Sequence, residues 1–271
     1  MTTRATTPAI TPATAPFHRY VALGDSFTEG VGDPDPDRPN GLRGWADRVA
    51  EALATQSDDF RYANLAIRGR KLPQILAEQV DPALALVRGE QDVLVTIHGG
   101  GNDVLRPKLD IDALARSYGE SIGRLQDAGA TVLMFTLPDV ATNPAFKVVR
   151  GRIAIFNEWV HEIADTQGVL LVDMWRNHTY DPRQTLDDDR LHLNPSGHQD
   201  MAISVLNALG VRHDLLPHPP KEVPTLSPRE ALEDNLRWAR THFVPWIRRR
   251  VTGRSSGDGV EPKYPVLTPV G

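Results

Sequence analysis

Serine, histidine and aspartate occur in this chain in an order and spacing that suit acyl transfer. Ser26 lies in the run Gly24-Asp25-Ser26-Phe27-Thr28-Glu29-Gly30, and far downstream Asp189 stands three residues before His192. Serine is a weak nucleophile and needs a base to take its proton, a task suited to an imidazole that titrates near neutrality. That base must itself be held in one tautomer by an acceptor. A local turn suffices to bring the Asp189 carboxylate to Nδ1 of His192. The tetrahedral intermediate then needs donors aimed at its oxyanion. Three are available: the backbone N–H of Ser26, the backbone N–H of Gly69 in Arg68-Gly69-Arg70, and the side-chain amide of Asn102 in His98-Gly99-Gly100-Gly101-Asn102-Asp103. Glycine at position 69 lets the backbone approach a ligand with no Cβ in the way.

These residues need a scaffold that gathers them. Short β-type runs at Tyr20–Leu23, Arg61–Leu65, Val93–Ile97, Val132–Thr136 and Val169–Val172 alternate with helical patterns at Trp45–Ala54, Leu72–Val87, Ile111–Leu125, Val148–Ala164 and Pro195–Leu209. The last three strands are nearly continuous apolar runs, the pattern of strands covered on both faces. Asn194 before Pro195, and Gly210 at the far end, are start and stop signals for the last helix. Five alternations of strand and helix predict an α/β domain of three layers, α/β/α, around a five-stranded parallel sheet. Ligands in such sheets sit at the carboxyl ends of the strands. Ser26, Gly69 and Asn102 all follow predicted strands, and the Asp189–His192 pair lies on the loop entering the last helix.

With these blocks in place the chain resembles the SGNH hydrolase family, the GDSL esterases and lipases. The matching residues are Gly24-Asp25-Ser26 for the nucleophile block, Gly69 for the second, Gly100-x-Asn102-Asp103 for the third, and Asp189-x-x-His192 for the last. Phe27 stands where the family name has leucine, an apolar-for-apolar change. The resemblance covers about residues 18–210. It implies a flavodoxin-like sheet, a triad of Ser26, His192 and Asp189, an oxyanion hole of Ser26, Gly69 and Asn102, and neither metal nor cofactor.

Composition narrows the alternatives. A chain of 271 residues with 40% hydrophobic side chains buries a sizeable core, which argues against wholesale disorder. Thirty basic against thirty-five acidic residues, a net charge of −5, argue against a nucleic-acid partner. With no cysteine, disulfides, thiolate metal sites and cysteine nucleophiles are excluded, so the nucleophile is an oxygen. Residues 1–16 hold no apolar run of the secretory kind, and no segment has the uninterrupted length of a bilayer span. The expectation is a soluble, cytoplasmic protein.

Several motifs have a competing, plainer reading. Gly119-Glu120-Ser121-Ile122-Gly123 fits the nucleophile elbow of α/β-hydrolases, but Ile111, Leu114, Tyr118, Ile122 and Leu125 recur at helical spacing around it, so Ser121 reads as mid-helix. His198 reads as structural or solvent-facing, and His98 as a buried, hydrogen-bonded histidine. Asp187 and Asp188 read as solvated loop rather than metal ligands. Asp103 reads as support for its loop. The stiff acidic stretch Asp33–Pro39 is either an ordinary surface loop or a border of the substrate entrance.

Twelve of the 22 prolines fall in residues 1–16 and 213–271, which marks those stretches as tails and sets the hydrolase domain at 17–212. Residues 1–16 read as a disordered tail. In the 213–271 extension, Ser227-Pro228-Arg229-Glu230 is a capping box opening a helix to about Val251, with a kink expected at Pro245. From Arg237 to Arg254 there are six arginines and no acidic residue, interleaved with aromatic and apolar side chains. This basic amphipathic helix either packs its aromatic face on the domain, which is preferred, or meets a protein partner, or lies on an anionic membrane. The final residues, from Gly253, read as extended. The function expected is hydrolysis of small-molecule carboxylic esters through an acyl-serine. An acyltransferase or thioesterase using the same triad is the first alternative. A catalytically silent binding module acting through the basic helix is the second.

Overall fold

The computed structural model describes residues 17–141, 143, 146–177, 181–219, 221–252 and 254–270. The expected tail at 1–16 lies outside the described residues. Five parallel strands, β1 (Arg19–Leu23), β2 (Arg61–Asn64), β3 (Val93–Ile97), β4 (Thr131–Phe135) and β5 (Leu170–Val172), run in the order β5-β4-β3-β1-β2. The short helix α1 (Ser26–Glu29) and the longer α2 (Gly44–Ala54) follow β1, and α3 (Leu72–Val87) follows β2. The single turn α4 (Gly101–Val104) and α5 (Ile111–Asp127) follow β3, and α6 (Arg150–Gln167) follows β4. After β5 come α7 (Pro182–Thr185) and α8 (Pro195–Ala208).

Alternation along the central strands builds the two cores. Val21 and Leu23 of β1 and Val93, Val95 and Ile97 of β3 pack with α3, α5 and α6 on one face. Tyr20 and Ala22 of β1 and Leu94 of β3 pack on the other face with α2 and α8, around the fully buried Trp45. β1 and β3 are neighbours although β2 lies between them in sequence, so the strand order reverses there. That is the crevice where doubly wound sheets bind ligands. β5, by contrast, is a half-buried edge strand rather than one covered on both faces.

The strand count differs from the expected five. Residues Tyr264–Pro269 form a sixth strand, β6, antiparallel to β2 at the outer edge of the sheet. The open edge of β2 offers unpaired backbone groups to any extended segment. Pro265 and Pro269 are tolerated because an edge strand does not need every N–H; the same prolines disguised the strand in the sequence. A buried ion pair anchors it: Nζ of Lys263 donates to Asp47 Oδ2 at 2.8 Å and to the carbonyls of Leu42 and Arg43. Tyr264 packs on Tyr62 with ring centroids 5.4 Å apart.

Between α8 and β6 the extension forms α9 (Pro228–Trp238), a π-helical turn at Ala239–Phe243 and α10 (Val244–Val251). Ser227 caps α9 through the expected capping box. The irregularity expected at Pro245 falls in the turn just before it: Pro245 has no N–H for the Thr241 carbonyl and its ring crowds that group, so the turn widens there. No residue of α9 is buried. Among the described residues, no helix is long and apolar enough to cross a membrane.

Candidate active site

The turn after β1 presents Ser26. Asp25 caps α1, its Oδ1 accepting from the Phe27 N–H at 3.2 Å, which fixes Ser26 at the first helical position, half-buried. The histidine arrives on a narrow hairpin. Leu186 and Leu193 bridge antiparallel, the Asp187 N–H donates to the His192 carbonyl at 2.8 Å, and the Arg190 N–H donates to the Asp187 carbonyl at 2.9 Å. Within it, Asp189 Oδ1 accepts from the backbone N–H groups of Leu191 (2.9 Å) and His192 (3.0 Å). This local turn turns the other carboxylate oxygen toward the imidazole. Asn194 then caps α8 by accepting from the Gly197 N–H at 2.9 Å.

The two loops meet. His192 Nε2 lies 2.9 Å from Ser26 Oγ, and His192 Nδ1 lies 2.5 Å from Asp189 Oδ2. Gly32 permits the approach: it sits at φ +98°, and a side chain there would collide with the Leu193 carbonyl. Burial works against the charge of Asp189, yet its bonds to the His192 ring and to two backbone N–H groups hold the carboxyl down at about 2. It is therefore a carboxylate throughout the neutral range.

Gly69 and Asn102 follow β2 and β3, and the Asn102 amide reaches Asp25 beside Ser26 and Arg70 beside Gly69. Gly69 adopts φ +77°, a left-handed conformation that glycine takes without strain. Neither the Ser26 N–H nor the Gly69 N–H has a protein acceptor among the described residues. Asn102 differs: its amide nitrogen donates to Asp25 Oδ2 and to the Arg70 carbonyl, both at 3.0 Å. Those bonds orient it firmly, and an oxyanion would have to share its hydrogens. Asp103 supports the loop, as its neighbours in sequence suggested, by accepting from the Leu72 N–H at 2.8 Å. Burial raises the Asp103 carboxyl to about 6.

Ser121 is mid-helix in α5, its hydroxyl donating to the Ser117 carbonyl. His198 is fully buried rather than solvent-facing; Nδ1 accepts from the Trp45 N–H at 3.1 Å and Nε2 donates to the Val31 carbonyl at 3.2 Å. Burial lowers its pKa to about 4. His98 is buried as expected but has no hydrogen-bond partner among the described residues. Its Nδ1 stands 3.6 Å from Asp25 Oδ1, beyond hydrogen-bond distance, and its ring packs on Phe27. Asp33 is buried and paired with Arg48, so this end of the acidic loop belongs to the core. Asp188 is exposed and pairs with Lys221 at 3.1 Å.

Contacts from the C-terminal extension were not legible in the sequence. The hydroxyls of Ser255 and Ser256 occupy the space a Cβ on Gly69 would fill. The indole N–H of Trp238 donates to the Asp189 carbonyl at 2.8 Å. Two surface depressions lie elsewhere, one along Glu233, Leu236, Arg237, Arg240 and Thr241 and one between α5 and α6. Both are shallow and open, and neither includes Ser26 or His192.

An α/β/α fold with serine, imidazole and carboxylate in hydrogen-bonded sequence at the switch point is that of an SGNH-type hydrolase. Residues 22–199 match the GDSL-like lipase/acylhydrolase family, and the chain belongs to that family, a carboxylic ester hydrolase. No curated protein matches it in sequence. Among solved structures it is similar to an acetylxylan esterase from Geobacillus stearothermophilus, at 18% identity over 72% of this chain and 96% of that one, with TM-score 0.56. It is also similar to a lipase from a goat rumen metagenome, at 20% identity over 72% and 98% of the two chains, with TM-score 0.59. At these identities the likeness shows the shared fold.

Proposed function

We propose that Ser26, His192 and Asp189 are the catalytic triad of an esterase that works through an acyl-serine. The observation that carries this reading is the continuous chain Ser26 Oγ–His192 Nε2 at 2.9 Å and His192 Nδ1–Asp189 Oδ2 at 2.5 Å. His192 takes the Ser26 proton as Oγ attacks the ester carbonyl carbon, and the carbonyl oxygen becomes an oxyanion. The N–H groups of Ser26 and Gly69 and the Asn102 amide donate to that oxyanion. Collapse of the intermediate breaks the bond to the alkoxy oxygen, which leaves with the proton from His192. Water then attacks the acyl-Ser26 carbonyl, giving its proton to His192, and the acid leaves as Ser26 regains its proton. Asp189 remains ionised throughout and stabilises the imidazolium.

Since one structural neighbour is an acetylxylan esterase, short acyl esters are the first substrates to test. Purified protein should hydrolyse p-nitrophenyl acetate, and Ser26→Ala should lose turnover while its thermal unfolding stays near that of the parent. Undiminished turnover by Ser26→Ala would overturn the assignment.

A further inference from the structure

Arg190 lies between Asp189 and His192 in the chain and holds a strained backbone conformation, φ +59°. For a residue with a Cβ, left-handed backbone is strained and persists where the surroundings over-determine it. Its guanidinium is held on three sides by α9. One nitrogen donates to Asn235 Oδ1 at 2.6 Å, another to Asp234 Oδ2 at 2.7 Å, and the group lies over the Trp238 ring, 5.1 Å from its centroid. Trp238 in turn donates to the Asp189 carbonyl at 2.8 Å. The Asn143 amide donates to the Arg190 carbonyl at 3.1 Å. The peptide units flanking the turn are thus fastened at both carbonyls and at the side chain.

The way α9 meets the domain points to the same place. The helix buries no residue and leaves Leu232 and Leu236 60% and 48% exposed, so burial of an apolar face does not explain where it sits. Its polar contacts with the domain converge on Asp189 and Arg190. The chain that follows it is tethered by β6 and the buried Lys263, so α9 is held over the loop from its far end as well.

We propose that Arg190, clamped by Asp234, Asn235 and Trp238 of α9, is a positioning residue that sets the Asp189–His192 loop at hydrogen-bonding distance from Ser26, which makes the C-terminal extension a working part of the hydrolase. The inference rests on the triad reading given above. A misplacement of about 1 Å at reacting groups lowers rate on the order of 10²-fold. Loss of the clamp therefore acts on kcat and leaves the ester's own contacts, and hence KM, in place.

The test is steady-state kinetics on p-nitrophenyl acetate, with thermal unfolding in parallel, for the full chain and for R190A, R190G, R190K, W238F and D234A/W238A, beside S26A. Glycine relieves the φ strain but has no guanidinium, so it separates backbone conformation from the clamp. The expected result is a kcat at least tenfold lower in R190A, R190G and D234A/W238A, with KM within twofold of the parent. R190K should recover part of the loss through Asp234. W238F, which keeps the stacking ring and loses the indole N–H, should fall between the parent and R190A. R190A added to D234A/W238A should lower kcat no further, since both remove one clamp. Parental kcat in R190A with S26A inactive would overturn the clamp and leave the triad standing. Parental kcat in R190G alone would assign the effect to backbone conformation and likewise overturn it. Undiminished turnover by S26A together with a silent R190A would overturn both readings.

Discussion

Asp103 gives a measurable pH signature. Asp103 is 3% exposed, its carboxylate accepts only the Leu72 N–H among the described residues, and burial raises its pKa from 3.8 to about 6. Between those values the folded protein keeps a proton that the unfolded chain releases. Stability from this group is therefore fully present below about pH 4 and is lost as pH rises through 6. At 1.36 kcal/mol per pH decade, the loss amounts to roughly 3 kcal/mol. Asp103→Asn retains a carbonyl for the Leu72 N–H and removes the titration. His198 works in the opposite direction: with its folded pKa lowered to about 4, stability is present above 6.5 and lost as pH falls toward 4. Urea unfolding of parent and Asp103→Asn at half-unit steps from pH 4 to 7.5 tests this. The variant should gain about 3 kcal/mol relative to the parent between the two ends, and should lose stability on acidification more steeply because the His198 contribution is then unopposed. A stability difference that stays constant with pH would refute the reasoning.

Lys263→Met should lower unfolding free energy by about 3–5 kcal/mol in urea titrations, because it leaves the buried Asp47 carboxylate without its partner and unfastens β6. Gly69→Ala should lower kcat on p-nitrophenyl acetate at least tenfold, since a Cβ at φ +77° is strained and meets Ser255 and Ser256. Asp189→Asn should lower kcat by about 10²–10⁴-fold with little change in KM, because the imidazole loses the acceptor that selects its tautomer.

Much of the fold was readable because its signals are local. β3 spans Val93–Ile97 and α3 spans Leu72–Val87, as periodicity indicated. Asn194 caps α8 as its position before Pro195 suggested. Asp189 and His192 meet because an Asp three residues before His closes a turn that needs only backbone N–H groups. What escaped depends on distant chain. β6 carries prolines at two of its six positions, and only the free edge of β2 makes it a strand. The lack of a hydrogen-bond partner for His98 among the described residues, and the deep burial of His198, depend on how distant segments pack around them. The clamp on Arg190 joins residues more than forty positions apart, and no spacing rule within either segment encodes it.

The central claim, that Ser26 is the nucleophile, is tested most directly by mapping a covalent adduct. Incubation with a fluorophosphonate probe, proteolysis and mass spectrometry should place one adduct on the peptide containing Ser26, with labelling abolished in Ser26→Ala and esterase activity lost in step with labelling. An adduct on another serine, or ester turnover that continues with Ser26 fully modified, would contradict the account.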